Sequence, residues 1–346
     1  VLLPDQDNQT SDRSQGSSMN SSISPSALTV SVVIPVYRRE KSLPGLVKEI
    51  SAFANGPHLT PNGNTFTIKE VLLVHDSGPD RSDRTLEDLA SQYDFVKPIW
   101  LSRNFGQHAA TLAGMASAAG NWVVTMDEDG QQDPKEIGAM LDVALAGNFQ
   151  IIYAQPTNAA PHGAFRNSCS KLAKKLAVQF LGTQYRSGVF NSFRLIEGEI
   201  ARILAAYCGN GVYLDVALFW IANRVGYAPM LLRGEQRPSS YSFGMLLNHF
   251  WRMVLTSGTR PLRLITIMGG VSFLLALFLS GYALYSKFVE STPIQGWTSL
   301  LIIISFFSGL IMLSLGVVAE YLALTTGIVM GKPLYVVTTK PTRPAK

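Results

Sequence analysis

In this chain of 346 residues the side chains best suited to chemistry are two carboxylates one residue apart, Asp127 and Asp129. They sit in Val123-Val124-Thr125-Met126-Asp127-Glu128-Asp129-Gly130-Gln131-Gln132-Asp133-Pro134. Paired hard oxygen donors suit Mg²⁺ or Mn²⁺, and such an ion would neutralise a departing diphosphate. The plainer reading is a polar turn into a helix, with Asp133 as N-cap and Pro134 at the first helical position. Both hold at once if Asp133 caps while Asp127 and Asp129 ligate. Two arginines beside aromatics are candidates for a bidentate grip on phosphate: Arg166 in Ala-Phe-Arg-Asn and Arg194 in Ser-Phe-Arg-Leu. Lys171, Lys174 and Lys175 read instead as a solvated helix face.

An isolated Asp-x-Asp pair is weak, so the elements that carry it decide its meaning. Residues 122–126 read as a buried strand whose C-terminal end delivers the acids, and in an open α/β sheet that end faces the ligand crevice. Three strand-turn-helix units come before it. Residues 29–37 form a β-branched run, followed by a helix with Leu43, Leu46, Val47 and Ile50 on one face. Residues 68–74 lead into His75-Asp76-Ser77-Gly78-Pro79-Asp80, a sharp turn by residue type. Residues 96–101 deliver Ser102-Arg103-Asn104-Phe105-Gly106-Gln107-His108 ahead of an Ala-rich helix at 109–119. This alternation predicts a parallel sheet with right-handed crossovers. A fifth strand is expected at 150–154 and a helix at 165–180. The chain lacks Gly-x-Gly-x-x-Gly or a Walker sequence after the first strand, which argues against a dinucleotide enzyme or P-loop NTPase.

The composition, 47% hydrophobic and 15% charged, predicts a globular domain joined to membrane segments. Residues 264–286 and 297–319 are each 23 positions without a charge, long enough to span a bilayer. Arg252, Arg260 and Arg263 precede the pair, and Lys332, Lys340, Arg343 and Lys346 follow it, so both ends are expected to be cytoplasmic. The net charge of +5 is read as attraction to a membrane surface rather than to nucleic acid. Before the pair, Phe243, Leu246, Leu247, Phe250, Trp251 and Val254 form an amphipathic stripe suited to the headgroup layer or to the globular domain. Gly269, Gly270, Gly309 and Gly316 would permit close helix packing, within one chain or between chains. Cys169 and Cys208 form no disulfide framework. The Ser- and Asn-rich residues 1–28 are expected to be disordered, with Met19 a candidate natural start. The expected organisation is therefore an extension at 1–28, a catalytic domain at 29–241, a juxtamembrane segment at 242–263, membrane helices at 264–286 and 297–319, and a cytoplasmic tail at 320–346.

Taken in order, Ser-Val-Val-Ile-Pro-Val-Tyr, His-Asp-Ser-Gly-Pro-Asp, Leu-Ser-Arg-Asn-Phe-Gly-Gln-His, Met-Asp-Glu-Asp-Gly-Gln-Gln-Asp-Pro, Ser-Phe-Arg-Leu, Arg-Pro-Ser-Ser-Tyr-Ser and Lys-Pro-Leu-Tyr-Val-Val resemble the membrane-bound glycosyltransferases of family 2 that move sugar from a nucleotide to polyisoprenyl phosphate. Dolichyl-phosphate mannose synthase-like enzymes and bacterial undecaprenyl-phosphate glucosyltransferases are nearest in pattern. The resemblance implies a GT-A fold: an α/β, Rossmann-like, mixed but mainly parallel sheet. It implies that Pro35, Tyr37, Glu40, Asp76 and Asp80 line the nucleotide pocket, with Arg103 in a loop beside it. Asp127, Asp129 and Gln131 would hold the metal; Arg237, Ser239 and Ser240 match a mobile segment that closes over phosphates, and Arg166 and Arg194 match phosphate-binding positions. Asp127, Asp129 and Arg237 are thus the expected catalytic residues.

Three positions depart from the family pattern: His75 stands where an acid is common, Gly130 where Leu is, and Asn191-Ser192 replaces a Gly-Asp. The implied partners are a UDP- or GDP-linked sugar, a polyprenyl phosphate, the inner membrane, a second copy of the chain and a flippase acting on the product. The alternatives are transfer of another sugar such as an aminosugar, a processive polysaccharide synthase, and a non-catalytic membrane scaffold or transport partner.

Overall fold

The computed structural model describes residues 27–157, 191–209, 211–231, 233, 260–285 and 296–340. Arg166, Arg237, Ser239 and Ser240 lie outside the described residues, as do the extension up to residue 26, the helix expected at 165–180 and the amphipathic stretch up to residue 259.

The first half alternates as expected: β1 (Leu28–Val36), α1 (Leu43–Ser51), a short β2 (His58–Leu59), β3 (Thr65–His75), α2 (Ser82–Gln92), β4 (Val96–Leu101), α3 (Gln107–Ser117), β5 (Trp122–Thr125), α4 (Glu136–Ala146) and β6 (Ile151–Pro156). Proline in the first turn starts α1, and its buried face is Leu43, Leu46, Val47 and Ile50, the stripe read from the sequence. The central strands are buried on both sides. Val32, Ile34, Leu73 and Val124 pack in one core with residues of α1, α2 and α4, whereas Val33, Leu72, Val74 and Val123 pack in the other with residues of α3.

Next come β7 (Arg194–Glu197), α5 (Gly198–Tyr207), α6 (Leu214–Ile221) and β8 (Val225–Met230). The strand order is β8-β6-β7-β5-β1-β3-β4-β9, where β9 (Val337–Thr338) comes from the far end of the chain and β2 pairs with β3. Among the described residues four pairings are parallel and four antiparallel, the parallel ones being the longer overall. The sheet is therefore more evenly mixed than expected, because β7 runs antiparallel between β5 and β6. Its α/β layers are of the GT-A kind. From β1 the chain moves outward to β3 and β4, then crosses to β5 on the other side of β1. This is the topological switch at which α/β sheets bind ligands.

Both apolar segments are helical: α7 (Arg260–Tyr285) and α8 (Trp297–Val329). Among the described residues, one segment is long and apolar enough to cross a membrane: Phe306–Val329, with mean hydropathy 1.8. It continues past the expected end at 319, so Glu320 sits within the helix. A Cβ at Gly269, Gly270, Gly309 or Gly316 would meet nothing within 4 Å among the described residues. Beyond α8, Val337 and Thr338 pair with Leu101 and Trp100, and Lys340 forms an ion pair with Glu87. The segment expected as a tail at 320–346 thus starts in helix and returns to the sheet.

Candidate active site

Asp127 leaves the C-terminal end of β5 and is clamped from three directions. Gln107 donates from Nε2 to Oδ1 at 2.6 Å, while Gln132 Nε2 at 3.2 Å and the Ser192 hydroxyl both donate to Oδ2. Gln132 also accepts the Asp127 N–H at 2.9 Å and donates to Ser192 Oγ at 2.8 Å. Burial pushes the Asp127 carboxyl up, and the Asp129 charge adds to this against the pull of Ser192, Arg194 and Gln107. Sequence reasoning missed Gln107, Gln132 and Ser192. Ser192 occupies the family's acid position with a neutral hydroxyl, whereas a carboxylate there would face Asp127 as a like charge.

Asp129 is held more lightly, accepting the Gln131 N–H at 3.0 Å. Gly130 turns the loop with φ of 75°, a left-handed conformation costly for any side chain, which accounts for glycine where the family carries Leu. Gln131 joins the loop through its main chain, and its carbonyl accepts the Arg233 N–H at 3.1 Å. Arg233 also bridges Glu49 at 2.7 Å and Asp133 at 2.8 Å. Asp133 is not the expected N-cap, nor is Pro134 the first helical residue: α4 begins at Glu136 with Lys135 at its N-cap, and Asp133 accepts the Lys135 N–H at 3.0 Å from the turn before it.

The carboxylate pair fits a divalent cation: burial and then the Asp129 charge disfavour an ionised Asp127, and a positive ion beside the two acids relieves both. No cluster of three His, Cys, Asp or Glu side chains forms among the described residues, so other coordination positions would fall to substrate oxygens and water.

On the nucleotide side, the expected contacts are largely engaged with one another. The buried Asp76 carboxylate accepts the N–H groups of Phe105 and Gly106 at 2.7 and 2.9 Å, tying the Arg103 loop to the end of β3. Burial raises this carboxyl, against those two amides. Arg103 lies over the Phe105 ring at 4.3 Å. Asp80 accepts the Glu40 N–H at 3.2 Å, and Glu40 in turn accepts the Arg81 N–H at 2.9 Å. A Cβ at Gly78 would fall 1.5 Å from the Tyr37 carbonyl oxygen, so the two loops touch through backbone. Pro35 lines a cavity of about 280 Å³ beside Asp127, together with Gln107, His108, Asn191, Tyr213 and Asp215.

Arg194, expected to grip phosphate, is instead buried and paired with Asp215. Its Nε and Nη2 donate to the two carboxylate oxygens at 2.7 and 3.0 Å, and Nη1 donates to Thr125 Oγ1 at 3.2 Å. The Tyr153 hydroxyl donates to Asp215 at 2.9 Å.

The model of the family described as Glycosyl transferase family 2 matches residues 31–196. An undecaprenyl-phosphate 4-deoxy-4-formamido-L-arabinose transferase of Pseudomonas paraeruginosa is 32% identical over 316 residues, 88% of this chain and 88% of the relative. The enzyme of that name from Aeromonas hydrophila subsp. hydrophila is 29% identical over 318 residues, 88% of this chain and 92% of its own. Glucosyl-3-phosphoglycerate synthase from Mycobacterium tuberculosis, solved with Mn²⁺, UDP-glucose and phosphoglyceric acid, aligns with a TM-score of 0.47 at 13% identity, covering 67% of this chain and 79% of that one. With a strand-borne carboxylate pair at the sheet's switch point and relatives matched over most of its length, the chain belongs to glycosyltransferase family 2 and is a glycosyltransferase.

Proposed function

We propose that the enzyme transfers a sugar from a UDP- or GDP-linked donor to an undecaprenyl or decaprenyl phosphate at the cytoplasmic face of the inner membrane, giving a lipid-linked monosaccharide for envelope or protein glycosylation. The observation that carries this reading is the return of the chain. It leaves the sheet at β8, runs through α7 and α8, and rejoins the same sheet at β9. An even number of crossings fits that path, with the carboxylate site and both helix ends on one side, where a lipid phosphate lies. The relatives' names support the lipid acceptor and favour an aminosugar over glucose, mannose or galactose. A second copy of the chain and a flippase acting on the product belong to the same reading.

The reaction is a single displacement with inversion. A lipid phosphate oxygen attacks the anomeric carbon as the bond to the nucleoside diphosphate breaks. The acceptor is already anionic near neutral pH, so no side chain need remove a proton; the neutral Ser192 beside Asp127 agrees with this. Asp129, the less encumbered acid, and Asp127 would hold a divalent ion, with Gln131 in support; when bound, that ion supplies positive charge for the diphosphate. Gln107, Gln132 and Ser192 keep Asp127 oriented. Arg237, Ser239 and Ser240 close over the phosphates in this reading.

The test incubates membranes containing the enzyme with radiolabelled nucleotide sugars and polyprenyl phosphate, aminosugar donors first. Label should enter the lipid extract only with a divalent ion present. Transfer to a soluble acceptor with no label in lipid would refute the acceptor assignment.

A further inference from the structure

Glu128 lies between the two metal-site acids but turns away from them, toward the loop after β1. Its carboxylate accepts the N–H groups of Tyr37 at 3.0 Å and Arg38 at 3.3 Å, and the Ser42 hydroxyl donates to its carbonyl at 3.3 Å. The next two amides of that loop are also held by side chains from outside it, Arg39 N–H by Ser82 Oγ at 3.4 Å and Glu40 N–H by Asp80 at 3.2 Å. Four successive amides thus donate to side chains of two neighbouring loops, and Glu128 alone takes two of them. Tyr37 and Arg38 are exposed and lie beyond the end of β1 at Val36, whose carbonyl accepts the Asp76 N–H at 2.8 Å.

We propose that Glu128 is a positioning residue for the donor, splinting the β1–α1 loop to the carboxylate loop so that the nucleotide pocket is set before the donor arrives. This rests on the reading that Pro35, Tyr37 and Glu40 line that pocket. The tripeptide Asp127-Glu128-Asp129 then serves both halves of the site, its outer acids addressing diphosphate and its middle acid the loop beside the nucleoside. The two amides donate to different oxygens of the side chain, Tyr37 N–H to Oε2 and Arg38 N–H to Oε1. Glutamate supplies both, glutamine only one, and alanine none.

The test uses the full chain in detergent with UDP and GDP as probes, in Mn²⁺, comparing wild type with Glu128→Ala and Glu128→Gln. Nucleotide Kd and donor KM are expected to rise roughly tenfold in Glu128→Ala, with the Gln variant between. The kcat at saturating donor and the acceptor KM should stay unchanged. Amide hydrogen exchange at Tyr37 and Arg38 should quicken in both variants while exchange in β1 stays slow. Unchanged Kd and exchange, or a fall in kcat alone, overturns the inference. Wild type that binds neither UDP nor GDP overturns the proposed donor class itself, a result that does not depend on Glu128. Should Glu128→Ala fail to fold, the Gln variant decides by the same readouts.

Discussion

Replacing Asp215 by Asn is expected to cost about 3–5 kcal/mol, the range for removing one partner of a buried ion pair. The two side chains are 6% and 1% exposed, and they share hydrogen bonds of 2.7 and 3.0 Å. Asparagine keeps one acceptor but turns an amide N–H toward the guanidinium, leaving a charge without compensation. Arg194 cannot escape by losing its proton, because a guanidinium stays protonated in a protein even without its partner; in the wild type burial lowers it, and Asp215 outweighs burial and holds it above its usual range. At about 2–4 °C per kcal/mol, the melting temperature should fall by roughly 6–20 °C. The assay is thermal unfolding in detergent alongside sugar transfer. The double variant Arg194→Met, Asp215→Leu removes both charges and should regain most of the stability. Its activity should stay low, since Thr125, which holds the Ser192 carbonyl, and Ser192, which braces Asp127, lose the Arg194 Nη1 contact. An Asp215→Asn enzyme that melts like wild type but shows a raised donor KM would refute this reasoning and return Arg194 to phosphate binding.

Three other outcomes follow from the same geometry. Asp127→Asn should lower divalent-dependent transfer by roughly 100-fold or more, measured as lipid product; full activity with metal present would reject the metal assignment. Gly78→Ala must push the Tyr37 carbonyl aside, so donor KM should rise and the melting point fall together, and a wild-type KM would show that the loop contact is dispensable. Burial pushes the Glu70 carboxyl up, but Lys97, the Ala119 amide and the Ser31 hydroxyl outweigh it and hold it below its usual 4.5. A lowered folded value gives stability that is present above pH 4.5 and lost as pH falls through that lowered value. Glu70→Gln should therefore flatten the acid limb of a melting curve against pH, and parallel curves would contradict this.

The strands were legible where burial on both faces leaves long β-branched runs: β1 was expected at 29–37 and is found at Leu28–Val36, buried from Val30 onward. The α1 stripe was legible for the same reason, since its period is set by one flat contact. β7 was not, because its four residues are strand only by lying between two antiparallel partners. The acids themselves were read correctly as leaving a strand end, but not what holds them. Gln132 rather than Gln131 reaches Asp127 because the turn at Gly130 decides which side chain points back. Ser192 lies 65 residues from Asp127, and no local pattern announces such a meeting. Glu128 was not singled out, because its partners are main-chain amides, which no residue type advertises.

The sheet's two ends give β9 a mechanical meaning. The chain leaves toward the apolar helices from β8, at one extreme of the strand order, and comes back at β9, the other extreme. Seven strand spacings of about 4.8 Å put these two attachments roughly 34 Å apart. A domain hung from a single cord can roll and swing; one slung like a hammock between opposite edges cannot. In the proposed membrane setting, the crevice between β1 and β5 hangs near the middle of that span, which limits how far it can turn away from the lipid surface it serves.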